Sequence, residues 1–135
     1  MTVEEAAALE RSLETNPDDI ETREKLIIFY DQGGKVSWEE KLAGMRRHGL
    51  WRLENLPDTD LWIPNISKRY DPEGYAQATR LWTAQTSKPD ATAQTLGRAA
   101  AFFGKYDKPI AEKLLLRAWR MEPDGPWADR LGDLY

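Results

Sequence analysis

The chain has 135 residues, 41% hydrophobic and 31% charged, with 19 Lys and Arg against 23 Asp and Glu for a formal net charge of −4. Such a composition can build a core and a wetted surface, but it lacks the basic footprint of general phosphate-backbone binding, so nucleic acid is not an expected partner. With no cysteine it has no disulfide, thiolate metal site or cysteine nucleophile, and no stretch reaches the ~20 apolar residues of a membrane span.

Residues Thr2 to Asn16 read as a first helix, with Ala6, Leu9 and Leu13 as an apolar stripe and Glu4, Glu5, Glu10, Arg11 and Glu14 on the other face. Asn16-Pro17 ends it, because the residue before proline is pushed out of the α region. Asp18 and Glu21 have capping-box spacing and start a second helix, which carries Leu26, Ile27, Phe29 and Tyr30 and stops at Gly33-Gly34. Ser37 and Glu40 open a third, from Trp38 to about Asn55, with Leu42, Met45, Leu50 and Leu53 as core candidates. Its Gly44 and Gly49 each weaken it by ~1 kcal/mol relative to alanine, or mark close approach to a neighbour.

Residues 57–70 break the pattern with two prolines, Asp58, Asp60 and Asn65 among apolar residues, and read as an irregular loop. Asp71-Pro72 then caps a fourth helix through Tyr75, Ala78, Leu81 and Trp82 to about Ser87. A fifth covers Ala91 to Phe103, ended by Gly104. A sixth starts at Asp107, with Ala111, Leu114, Leu115, Ala118 and Trp119 inward, and a seventh runs from Trp127 to Tyr135. No run alternates as a strand does. The expectation is an all-α chain of about seven helices, taken as one domain over residues 1–135.

Leu81, Ala84, Pro89 and Asp90 recur as Leu115, Ala118, Pro123 and Asp124, each 34 residues on. That period is the length of a two-helix solenoid unit. Leu131-Gly132-Asp133-Leu134-Tyr135 supplies L-G-x2-Y, Ala111 and Leu115 match A-x3-F with leucine for phenylalanine, Pro123 closes the unit, and Leu96-Gly97 gives a second L-G pair. On these motifs the chain resembles a tetratricopeptide-repeat-like protein from Tyr75 to Tyr135 and, more loosely, from Ala6 to Tyr30. It departs from the pattern over Ser37 to Tyr70. The resemblance implies a right-handed α-α superhelix whose stacked helix pairs share a continuous core and offer a concave surface to partners.

Few residues suggest chemistry. His48 is the only histidine, which rules out a multi-histidine metal site; packing or solvation is its default role, ahead of a general base. Asp58-x-Asp60 fails the calcium-loop pattern, since Ile63 and Arg69 stand where glycine and glutamate belong. Gly33-Gly34-Lys35 lacks the first glycine and preceding strand of a phosphate loop. The six tryptophans (Trp38, Trp51, Trp62, Trp82, Trp119, Trp127) are expected mostly in the core, with Trp62 as a loop anchor. Arg46, Arg47, His48 and Arg52, with Lys41 nearby, read as a solvated basic face partly paired with Glu39, Glu40 and Glu54, an anion or acidic-partner site being the second reading.

The resemblance implies that the first helix of each unit lines the groove. Framed from Pro17 this face is Glu24, Ile28 and Asp31; framed from Pro89 it is Leu96, Ala100 and Phe103, although the Leu96-Gly97 match would rotate the second set. The groove lacks the lysine and asparagine with which relatives clamp a terminal carboxylate. The expected function is a non-enzymatic scaffold for a peptide or protein partner, without metal or cofactor. The alternative is a structural segment of a larger protein that self-associates through Leu131, Leu134 and Tyr135; an enzyme using Asp58, Asp60, His48 or Tyr70 is the third reading. Residues Met1 to Glu5 lack the basic start and apolar run of a signal peptide, pointing to the cytoplasm or to a piece of a longer chain.

Overall fold

The computed structural model describes residues 1–32, 35–58 and 66–135. Among them are seven α-helices and no strand: α1 (Val3–Thr15), α2 (Ile20–Gln32), α3 (Trp38–Asn55), α4 (Pro72–Thr86), α5 (Ala93–Phe103), α6 (Lys108–Met121) and α7 (Trp127–Leu134). No helix among the described residues is long and apolar enough to cross a membrane.

Short polar side chains set most helix starts, because the first N–H groups of a helix lack backbone acceptors. Thr2 and Glu5 form a reciprocal capping box on α1. Ser37 Oγ accepts from Glu40 N–H at 3.1 Å, Asp71 Oδ1 from Gly74 N–H at 3.1 Å and Asp107 Oδ1 from Ile110 N–H at 3.4 Å, at the positions the spacing indicates. Two starts differ. Asp19, not Asp18, caps α2, taking the Thr22 N–H at 3.2 Å and hydroxyl at 2.7 Å. Thr92 caps α5 by accepting from Thr95 N–H at 3.1 Å, so the helix begins at Ala93 rather than Ala91. The expected stop at Gly33-Gly34 lies outside the described residues, as do Asp60, Trp62 and half of the 57–70 loop.

The chain forms two compact units: Met1–Leu53 with Trp62–Ala78, and Glu54–Leu61 with Thr79–Tyr135. In the first, Ala6 and Leu13 of α1 pack on Leu26, Phe29 and Tyr30 of α2, with Leu9, Val36 and Met45 at the margin. Tyr30 lies flat on Gly44 of α3, where an added Cβ would sit 2.4 Å from the ring. The glycine that weakens α3 is therefore what lets α2 approach it. Ile28, on the opposite side of α2, is 52% exposed.

In the second unit α6 packs against both α5 and α7. Leu96, Ala99, Ala100 and Phe103 of α5 meet Ala111, Leu114, Leu115 and Ala118 of α6 as buried faces. The helices α5 and α7 begin 34 residues apart, at 93 and 127. A second regularity is a side-chain tie to the end of an earlier helix. Gln85 Nε2 donates to the Glu54 carbonyl at 2.6 Å, and Arg117 Nη1 donates to the Thr86 carbonyl at 3.0 Å. Each tie spans 31 residues, from 54 to 85 and from 86 to 117. Both satisfy a carbonyl that has no acceptor role left inside its own helix, and Arg117 adds a cation at the negative end of α4.

Trp127 explains its offset from the L-G motif. Its ring lies on Gly97, the glycine of the preceding L-G pair, where a Cβ would sit 2.5 Å from Cζ3. Gly104 serves α7 in the same way: its backbone is right-handed at φ −58°, and a Cβ would come within 3.2 Å of Leu134 Cδ1. Gly132, in contrast, has open space around the equivalent Cβ position. Gly97→Ala should therefore destabilise the protein by ~1–3 kcal/mol through overpacking. Gly132→Ala should stabilise it by up to ~1 kcal/mol through helix propensity. Urea melts of the two variants should move to opposite sides of the parent.

Candidate functional site

In the first unit the basic cluster of α3 is only partly a solvated face: Arg47 is exposed and Arg46 half-buried, while His48 and Arg52 are buried. Successive helix residues are ~100° apart, so Arg46, Arg47 and His48 leave α3 in three directions, and each reaches an acid from another segment. Arg46 pairs with Asp71, with Nε to Oδ2 at 3.1 Å, and lies 3.7 Å from Glu73. Arg47 grips Glu10 of α1 as a fork, Nε to Oε2 at 3.0 Å and Nη2 to Oε1 at 2.9 Å. Arg52 Nη2 donates to Glu24 of α2 at 2.6 Å. None of these acids is the expected Glu39, Glu40 or Glu54. His48 and Arg52 are 0% and 2% exposed, and burial is why each needs a partner held in place.

His48 is the centre of this network. Its Nδ1 lies 3.2 Å from Arg23 Nη1 and its Nε2 contacts Glu10 Oε1. A guanidinium only donates, so Nδ1 accepts and Nε2 carries the proton that Glu10 receives. Arg23 is buried, its Nε donates to the Pro17 carbonyl at 2.9 Å, and its guanidinium carbon lies 4.1 Å from the Trp51 ring centroid. The Tyr30 ring stacks on His48 at 6.2 Å, and its hydroxyl donates to Glu10 at 3.4 Å. With both ring nitrogens engaged and the ring buried, His48 has no face toward a substrate; packing is its role.

Burial alone would raise the Glu10 carboxyl. Hydrogen bonds from His48 and Arg47, and the positive charge beside it, outweigh that and hold it down from its ordinary 4.5 to about 2. Burial, and then the Glu10 carboxylate, push the Tyr30 hydroxyl up.

Glu10 and Arg23 were not singled out in the sequence. Glu10 looked like one more acid on the outer face of α1, yet it stands at the i+4 position between Ala6 and Leu13, the two buried residues of that helix. Arg23 likewise precedes the buried Ile27 and Tyr30 by four and seven residues. An ionisable residue in step with a buried stripe is the signal that finds both.

The second unit carries a cleft of about 400 Å³ between α5 and α7. Ala101 and Gly104 form its floor beside Ala100 and Leu115, Gly97 borders it from beneath Trp127, and Arg130, Asp133 and Leu134 of α7 form a wall. Arg130 is placed by its own helix, with the guanidinium 4.9 Å from the Trp127 ring centroid. The accessible part of the floor, Ala101 and Gly104, carries little side chain, with a cation and a carboxylate beside it.

The six groove residues fall in different environments. Glu24 is half-buried and bound to Arg52, while Ile28 and Asp31 are exposed. Ile28 borders a small hollow with Met1, Lys25 and Lys35. Leu96, Ala100 and Phe103 are 0, 3 and 4% exposed. They are core positions packed toward α6, which corrects their assignment to an open face, although Ala100 also touches the edge of the cleft. One residue on from Ala100 and Phe103, Ala101 is exposed and Gly104 half-buried, whereas Gly97 is buried beneath Trp127, so the open side of α5 is rotated by ~100° from the expected one.

Among the tryptophans, Trp82 and Trp127 are buried, Trp51 is half-buried, and Trp38 and Trp119 are 55% and 39% exposed, so Trp119 does not point inward as expected. Asp58 is an exposed turn residue. Tyr70 is exposed and meets Trp38 edge-on at 5.8 Å. Of the proposed self-association residues, Tyr135 is 72% exposed, whereas Leu134 packs on Gly104 and Leu131 is half-buried. Among the described residues no group of three or more metal-capable side chains converges. No family model, curated protein or solved structure matches the chain.

Because Glu10 titrates lower in the folded than in the unfolded chain, its contribution to stability is present above pH ~4.5 and is lost as the pH falls toward 2. Glu10→Gln should cost about 2 kcal/mol at neutral pH, after allowance for solvent screening, and should flatten the acid limb of stability against pH. Denaturant melts at a series of pH values measure both. Nitrogen-15 spectra of labelled histidine should show the neutral imidazole of His48 as the Nε2–H tautomer.

Proposed function

We propose that this chain is a non-enzymatic protein-interaction module that holds a peptide segment of a partner in the cleft between α5 and α7. The observation that carries the reading is the cleft floor of Ala101 and Gly104. A floor without bulky side chains lets a second backbone lie close, and Arg130 and Asp133 offer a donor and an acceptor to its peptide groups. The tetratricopeptide-like motifs, the 34-residue offset of α5 and α7 and the two 31-residue ties support a repeat of helix pairs, in which first helices line the partner surface.

An extended segment with small side chains fits such a floor best. The absence of cysteine suits a reducing compartment, so the cytoplasm is the natural setting in which to seek the partner. The exposed Tyr135 at the end of α7 favours a second reading, self-association through that end.

Selection of a random peptide library on the full chain should enrich sequences that bind with micromolar affinity. Ala101→Arg fills the cleft from an exposed position and should weaken them at least ~10-fold, about 1.4 kcal/mol, while the thermal melt stays intact. Enriched peptides indifferent to Ala101→Arg would place the binding surface elsewhere.

A further inference from the structure

On α4, Trp82, Gln85 and Thr86 are 3, 6 and 6% exposed. The gapless frame that aligns Leu81 with Leu115 and Pro89 with Pro123 puts Leu116, Trp119 and Arg120 of α6 at the corresponding positions. There the same face is open. Leu116 is 40% and Trp119 39% exposed, and with Arg120 and Pro123 they border a cleft of about 550 Å³. Large apolar groups gathered on one exposed helix face mark an interaction surface more often than scattered ones do.

Two observations say what kind of partner fits. The first is the treatment of the corresponding face on α4. A helix end reaches it: Gln85 Nε2 donates to the carbonyl of Glu54, in the last turn of α3, at 2.6 Å. The second is charge. Lys113 and Arg120 flank Leu116 at three residues before and four after, so all three share one face of α6. Neither cation has a carboxylate partner among the described residues, and the one side-chain bond of Arg120 runs from Nε to the Leu116 carbonyl of its own helix at 3.4 Å. On α3, in contrast, Arg46, Arg47 and Arg52 each meet an acid. An apolar cleft lined by Arg120, with Lys113 on the same helix face and no carboxylate bound to either, is complementary to an amphipathic helix that carries acids beside its apolar stripe.

We propose that the Lys113–Leu116–Trp119–Arg120 face of α6 is a docking site for an acidic amphipathic helix of a partner protein. Its apolar stripe enters the cleft against Leu116, Trp119 and Pro123, and carboxylates on its flanks meet Lys113 and Arg120. This is helix-in-groove recognition, in which a few apolar anchors carry affinity and the charged rim sets rate and salt dependence. The site is separate from the cleft of α5 and α7 and does not rest on it.

The test uses the full chain and a fluorescein-labelled designed helix of about 16 residues, roughly 24 Å long, with leucines at i, i+4 and i+7 and glutamates on the flanks. Fluorescence anisotropy should show saturable micromolar binding, weakened roughly 10-fold between ~50 and ~300 mM salt as charge is screened. Leu116→Glu should abolish it, and Arg120→Glu should weaken it and remove most of the salt dependence. Both positions are exposed, so an unchanged melt separates loss of the site from loss of fold. Equal binding of a control helix with lysine for glutamate, or binding indifferent to Leu116→Glu, would overturn the proposal. So would a dimer in sedimentation that Leu116→Glu dissolves, since a second copy would then be the occupant.

Discussion

The first unit is organised by the need to neutralise positive charge in a helix that is largely covered. A buried guanidinium without an acid loses hydration worth several kcal/mol per ion and gains nothing for it. Buried Arg52 draws a carboxylate from α2, the more exposed Arg46 and Arg47 draw theirs from the segment before α4 and from α1, and buried His48 takes the same Glu10 as its acceptor. Apolar packing of Leu13, Leu26 and Phe29 tolerates small slips of one helix along another; these pairs do not. Sliding α1 by a single residue would carry Glu10 away from His48 and Arg47 together. The charges thus specify register, while the apolar cluster supplies most of the driving force.

Arg23 makes the arrangement more restrictive. By donating to His48 Nδ1 it fixes the tautomer, and by covering Trp51 it fixes its own position. Glu10 collects the remaining donors of Arg47, His48 and Tyr30. A satisfied network of this kind is rigid, and its groups have nothing left for a ligand. The second unit shows the reverse: α6 and α7 leave cations, a carboxylate and large apolar side chains facing outward.

Most helices were readable because their signals are local. A serine or aspartate three residues before its N–H partner is visible without any tertiary knowledge, and Ser37, Asp71 and Asp107 cap where their spacing indicates. Asp19 was obscured by Asp18, since two adjacent acids compete for one role. The fate of the basic cluster was not readable: its acids lie 25 to 38 residues away in sequence, and nearby Glu39, Glu40 and Glu54 were the nearer guess. Trp119 shows the limit of equating aromatic with buried, because the apolar stripe of α6 is wide enough for Ala111, Leu114, Leu115 and Ala118 alone. On α5 the open face was missed by one residue, a distance that matters little along a strand of text and a quarter-turn or more around a helix.

Gly97 and Gly104 answer to two demands at once. Each is the hollow into which a residue of α7 settles, and each also borders the cleft beside it. A side chain gained at either place would disturb the architecture and the surface together, so neither property can be inherited without the other. A new ligand preference is more easily reached through Arg130 and Asp133 than through the glycines on which α7 rests.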